Sequence, residues 1–226
     1  MASKRIFFIA GTDTGVGKSV IAAAFASALA LSGRSVGVMK PISCGGREDA
    51  YLLAQASGSD DAIDLINPIA LKAPLSPNVA ARLEGVRIDL RRIDRALRTL
   101  TGKYDNIIVE GCGGLLVPIA GRMFVIDLIK RMRAETILVS RSGLGAINHS
   151  LLSLEALRAR RIEPLGVIFN RLSGGPESVP ERTNPAVIAE FGRTRSLGVF
   201  PHTKIGCATG CRGKAFLKHI DLKKIL

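Results

Sequence analysis

Nine residues near the start of the chain, Gly11-Thr12-Asp13-Thr14-Gly15-Val16-Gly17-Lys18-Ser19, constrain its fold more than any other stretch. They lie between an apolar run, residues 6–10, and a long alanine-rich apolar segment, residues 20–31. The order reads as strand, phosphate loop, helix. A Gly-Lys-Ser that opens a helix gathers backbone N–H groups, the positive end of the helix dipole and one ammonium around a polyphosphate, and its hydroxyl can ligate Mg²⁺. The expected ligand is therefore a nucleotide. The common pattern places four residues between its first glycine and the Gly-Lys pair. Here Thr12, Asp13, Thr14, Gly15 and Val16 make five, so the loop is a variant whose spacing is itself informative.

The rest of the chain alternates strand-like and helix-like segments. Residues 35–39 form a strand ending in Lys40-Pro41, which places a lysine at the carboxyl edge of the sheet, where ligands of open α/β sheets bind. A helix over residues 48–56 is followed by a proline-punctuated loop, 67–77, and by a short helix to residue 83 that opens on Ser76-Pro77. Residues 89–100 have helical periodicity, and residues 106–109 form a β-branched strand closing on Glu110-Gly111-Cys112-Gly113-Gly114. A helix over 125–132, a strand over 136–139 and a glycine loop opening a helix to about residue 160 come next. Residues 165–169 read as a strand ending at Asn170, 173–183 as a Gly/Pro-rich surface loop, 184–191 as a short helix, and 197–200 as a last strand before Pro201. The tail is glycine-rich to residue 213 and then helical through 219. This alternation predicts an α/β fold: a three-layer, doubly wound, mostly parallel sheet with helices on both faces, of P-loop NTPase type. Its 226 residues suit a single domain over 1–226, with no element assigned firmly to the tail 203–226.

Composition narrows the partners. No uninterrupted apolar run approaches the ~18 residues of a membrane span, and residues 1–5 lead straight into the first strand without a signal-peptide pattern, so a cytoplasmic protein with no membrane partner is expected. A net charge of +13 raises the question of nucleic acid. The basic residues are scattered, however, and aromatics for base stacking are only 4% of the chain, so no nucleic-acid partner is expected. The four cysteines read as free thiols. Cys207 and Cys211 lack both the CxxC spacing and a second ligand pair, so no zinc site is expected there.

Taken in order and spacing, the phosphate loop, Lys40-Pro41, Ser76-Pro77, Val109-Glu110-Gly111-Cys112-Gly113-Gly114, Gly145-Ala146-Ile147-Asn148-His149 and Asn170 resemble the dethiobiotin synthetase family. The resemblance implies an ATP-dependent ligase that closes a ureido ring on 7,8-diaminononanoate with CO₂, using Mg²⁺ and ATP, in a homodimer whose substrate site lies at the interface. It implies that Thr12, Asp13, Thr14, Gly15, Val16, Gly17, Lys18, Ser19, Asn170 and Pro201 bind the nucleotide. Ser19, Asp49 and Glu110 would hold the metal. Lys40, Lys18 and Thr14 would act in catalysis, and Lys40, Ser43, Cys44, Gly145, Ala146, Ile147 and Asn148 would bind substrate. Three departures accompany it: Cys44 stands where the family usually has Ser or Thr, with Ser43 one place earlier; Gly15 stands where glutamate is frequent; and the tail aligns with nothing in the family. Two neighbouring classes fit less well. Diamide synthases of the cobyrinate type need a glutaminase domain for which there is no room, and partitioning ATPases carry an additional loop lysine where Thr12 and Asp13 stand. A ligase acting on another amine is the remaining alternative.

Overall fold

The computed structural model describes residues 4–203 and 209–226. The elements in chain order are β1 (Arg5–Gly11), α1 (Lys18–Leu31), β2 (Val36–Met39), β3 (Ile42–Cys44), α2 (Glu48–Ser57), α3 (Ile63–Ile66), β4 (Ile69–Leu71), α4 (Pro77–Leu83) and α5 (Leu90–Lys103). There follow β5 (Asn106–Gly114), β6 (Pro118–Ala120), β7 (Met123–Phe124), α6 (Val125–Met132), β8 (Glu135–Arg141), α7 (Ala146–Ala159), β9 (Gly166–Asn170), α8 (Val179–Phe191), β10 (Ser196–Phe200) and α9 (Thr209–His219).

Six strands form one parallel sheet, as the alternation of elements predicts, and their order is β10-β9-β8-β1-β5-β2. The pleat of β1 shows why helices cover both faces. Phe7 and Ile9 enter the apolar layer shared with α1, α2 and α9, while Phe8 and Ala10 enter the layer shared with α5, α6 and α7. A strand buried on both faces must be apolar throughout, which is the character of residues 6–10.

Three sequence expectations are corrected. The stretch 67–77 is not wholly loop: β4 pairs in parallel with β3 beside the main sheet. A three-residue strand is too short to leave a periodicity signal. Helix α8 begins at Val179, inside the expected surface loop, because Ser178 and Glu181 form a capping box and Pro180 fits the first turn. In the tail, α9 opens at Thr209 and runs through the glycines expected to precede it. Gly213 lets this helix lie against α1, since a Cβ there would come within 2.4 Å of Ser27 Oγ. Phe216 then stacks on Phe25 with ring centroids 5.1 Å apart. Cys207 lies outside the described residues, and Cys211 is exposed on α9. No helix among the described residues is long and apolar enough to cross a membrane.

Candidate active site

Because every strand of the main sheet runs the same way, the carboxyl ends of β1, β2 and β5 open onto one edge. The chain leaves β1 into the phosphate loop and re-enters regular structure at Lys18, with Gly17 as the N-cap in the left-handed region at φ 91°. No side chain caps α1, so its first-turn amides face the loop. Lys18 folds back over the loop, and its Nζ donates to the Asp13 carbonyl at 2.9 Å. Gly11 permits this path, because a Cβ there would sit 2.8 Å from Lys18 Nζ. Across the loop, Asn170 at the end of β9 donates from Nδ2 to the Val16 carbonyl at 3.0 Å.

The metal-ligand candidates converge on one carboxylate. Glu110 Oε1 accepts from Ser19 Oγ at 2.7 Å and from Lys40 Nζ at 2.6 Å, and the same ammonium donates to Asp49 Oδ2 at 2.7 Å. Ser19 comes from α1, Lys40 from the end of β2, Asp49 from the first turn of α2 and Glu110 from β5. Burial alone would lower the Lys40 pKa, but Glu110 and Asp49 outweigh it and hold the ammonium above the ordinary lysine value. Burial pushes the Glu110 carboxyl up and Lys40 opposes it. Burial lowers the Lys18 pKa, against the pull of Glu110, with Lys40 repelling it further. Asp49 is held below the usual carboxylate range: its partial burial acts upward and the Lys40 ammonium overcomes it.

These groups border a cavity of about 740 Å³. Thr14, Gly15, Gly17, Lys18, Ser19, Lys40, Ser43, Cys44, Asp49 and Glu110 all line it, joined by Cys112 and the 74–77 segment. Thr12, Asp13, Val16, Asn170 and Pro201 do not. Asn170 instead braces the loop from behind, and Pro201 follows Phe200, whose register partner is Asn170. Gly145, Ala146, Ile147 and Asn148 also stand away from the cavity, at the N-terminus of α7, beside Leu144, which is 85% exposed.

The structure also separates the two neighbours after Lys40-Pro41-Ile42. Ser43 Oγ donates to the buried Asn67 Oδ1 at 2.9 Å. The Cys44 thiol is pushed up to about 11, chiefly by burial and by Cys112, so it stays a neutral S–H. Two contributors went unread in the sequence. Asn67-Pro68 has the form of a turn initiator, which hides the buried role of its amide. Cys112 reads as one more small residue in a glycine turn.

The donor set fits Mg²⁺. Glu110 Oε2 is buried with no hydrogen-bond partner, and it stands beside a hydroxyl and a second carboxylate, the hard oxygen donors that Mg²⁺ prefers. Among the described residues no cluster of three or more His, Cys, Asp or Glu would hold a metal alone.

A parallel sheet with a glycine-rich loop and a buried lysine at the start of its first helix defines a P-loop nucleotide-binding protein. The solved structures of a ParA family ATPase from Chlorobium tepidum TLS (TM-score 0.58, 18% identity, 96% of this chain and 93% of that one) and of the septum site-determining protein MinD of Pyrococcus horikoshii OT3, complexed with Mg-ADP (TM-score 0.58, 19% identity, 93% and 86%), are similar in fold. A family model described as an AAA domain matches residues 5–205. Among curated proteins, the ATP-dependent dethiobiotin synthetase BioD of Thermodesulfovibrio yellowstonii is 42% identical over 99% of both chains, and that of Methanocaldococcus jannaschii is 41% identical over 86% of this chain and 92% of its own. The chain belongs to the ATP-dependent dethiobiotin synthetase family and is an ATP-dependent ligase of the biotin pathway.

Proposed function

We propose that the protein closes a ureido ring on 7,8-diaminononanoate, consuming CO₂ and ATP and releasing dethiobiotin, ADP and phosphate. The observation that carries this reading is the convergence of two buried lysines, one from the phosphate loop and one from the end of β2, on a single cavity. A nucleotide switch needs the first. A transfer to an acceptor gives the second a task beyond its pairing with Glu110 and Asp49.

The reaction divides into three steps. An amine of the diamine adds CO₂ to form a carbamate, a carbamate oxygen attacks the γ-phosphorus with departure of ADP, and the second amine attacks the mixed-anhydride carbon and expels phosphate. Lys18 neutralises charge on the β- and γ-phosphates, and Lys40 neutralises the carbamate and the charge developing between it and the γ-phosphoryl group. Thr14 contributes its hydroxyl where the two halves meet. Ser19, Asp49 and Glu110 would hold Mg²⁺, which when bound with the nucleotide neutralises phosphate charge. Positioning of this kind suffices for phosphoryl transfer, in which the protein has little covalent work to do.

The position of Gly145, Ala146, Ile147 and Asn148 outside the cavity supports a homodimer in which the amides at the start of α7 bind the substrate carboxylate of the partner's site. The test is incorporation of labelled bicarbonate into an acid-stable product, expected only with MgATP and 7,8-diaminononanoate together. ATP hydrolysis without the diamine, stimulated by DNA or lipid, overturns the reading.

A further inference from the structure

Asn67 has no place in the chemistry above, yet it is completely buried, at 0% exposure, directly beneath the acceptor side of the site. It follows the last residue of α3 and precedes Pro68. Both of its amide protons are engaged: Nδ2 donates to the Lys40 carbonyl at 2.7 Å and to the Ile69 carbonyl at 3.1 Å. Its Oδ1 accepts from Ser43 Oγ at 2.9 Å. Two carbonyl oxygens demand the nitrogen, and the hydroxyl is the partner with a proton to give, so the orientation of the amide is determined.

The main chain repeats the attachment, since the Lys40 N–H donates to the Ile66 carbonyl at 2.8 Å. Both backbone polar groups of Lys40 are thus held by two consecutive residues at the point where β2 ends. Pro41 has no N–H to add. The far end of the side chain is held by Glu110 and Asp49. Lys40 is therefore fixed at its root by Asn67 and at its tip by carboxylates. When the tip must turn to a substrate, only the root keeps it in register. A misplacement of about 1 Å in such a group costs on the order of a hundredfold in rate.

We propose that Asn67 is a positioning residue for Lys40, fixing the turn of residues 40–43 so that the ammonium meets the acceptor. The proposal rests on the reading of Lys40 as the acceptor-side lysine. Asn67 makes no hydrogen bond to the phosphate loop, so its loss leaves nucleotide binding in place.

Two measurements on the full chain test this: calorimetric binding of 7,8-diaminononanoate to protein saturated with ADP, and the ¹³Cε NMR signal of Lys40 in the ligand-free protein. Asn67→Ala is expected to weaken diamine binding about tenfold or more, to leave ADP affinity within about twofold, and to move the Lys40 signal. In a Lys40→Met background the same substitution is expected to add nothing, because Asn67 acts through Lys40. Losses that multiply in the double variant, or a Lys40 signal that stays in place, overturn the proposal. A wild-type chain that fails to bind the diamine overturns the functional reading instead, and the NMR signal then decides the role of Asn67 alone. Should Asn67→Ala not fold, Ser43→Ala, which removes the donor to Oδ1, is judged by the Lys40 signal alone, because Ser43 itself lines the cavity; a signal that stays in place overturns the proposal.

Discussion

Lys40 Nζ and Glu110 Oε1 meet at 2.6 Å, with side chains only 5% and 1% exposed. Removing one member of such a pair leaves an uncompensated buried charge, which costs about 3–5 kcal/mol. Lys40→Met is expected to destabilise the fold by about that much near pH 8. The cost should shrink toward pH 5. Without the ammonium, burial keeps the folded Glu110 pKa above its unfolded value of about 4.3, so the folded state binds the extra proton and stability falls as pH rises. Lys40→Met/Glu110→Gln should recover most of the loss but no ligase activity. Urea denaturation at the two pH values checks the first part, and bicarbonate incorporation the second.

Burial lowers the Lys18 pKa, whereas the carboxylates raise that of Lys40. On going alkaline Lys18 therefore loses its proton before Lys40. ADP affinity is expected to weaken with an apparent pKa below 10.5, the ordinary value for a lysine. Titration calorimetry from pH 8 to pH 11 measures it, and an affinity that holds constant until after Lys40 deprotonates contradicts the prediction.

The Cys44 thiol, pushed up to about 11, has little thiolate at pH 8. Its alkylation by iodoacetamide should run about a hundredfold slower than that of an unhindered thiol of pKa near 8.5. The rate should climb through pH 10. Cys44→Ser supplies a stronger hydrogen-bonding group at the position where the family usually carries a hydroxyl, and the KM for the diamine is expected to fall about threefold. Steady-state kinetics with mass-spectrometric site mapping tests both.

Asn170 holds the phosphate loop through the Val16 carbonyl, and a Cβ at Gly17 would lie 1.9 Å from its Nδ2. Gly17→Ala, strained also by its φ of 91°, should abolish ADP binding. Asn170→Ala should weaken it about tenfold, the equivalent of one buried hydrogen bond. Equal affinity in wild type and Asn170→Ala would show that the brace has no bearing on the ligand.

In α9, Phe216 is fully buried against Phe25. Phe216→Ala is expected to cost about 3–5 kcal/mol, measured by thermal or urea unfolding. A loss below about 1 kcal/mol would mean that the helix contributes little to the core.

Much of this is legible in the sequence. The apolar run 6–10, the Gly-Lys-Ser helix start and the β-branched strand ending in Glu110 are local patterns, and each specifies its element and its position at the sheet edge. The less legible features are relational. Nothing around residue 67 shows that an asparagine before a proline turns inward to hold a lysine 27 positions earlier. The tail's glycines suggested loop because glycine is a poor helix former, yet at Gly213 the missing side chain is what lets two helices touch. Asn170 stands out only through the family resemblance, and its contact with the loop depends on β9 and β1 lying on either side of β8.

That strand order also governs when the site comes into being. The loop sequence is complete by Ser19, but its hydroxyl's partner lies 91 residues on and the brace on Val16 comes from 154 residues on. A nascent chain therefore carries the phosphate loop long before the strands that hold Ser19 and Val16 are made. The complete site exists only once β5 and β9 are in place, so a nucleotide bound there stabilises the finished fold by mass action.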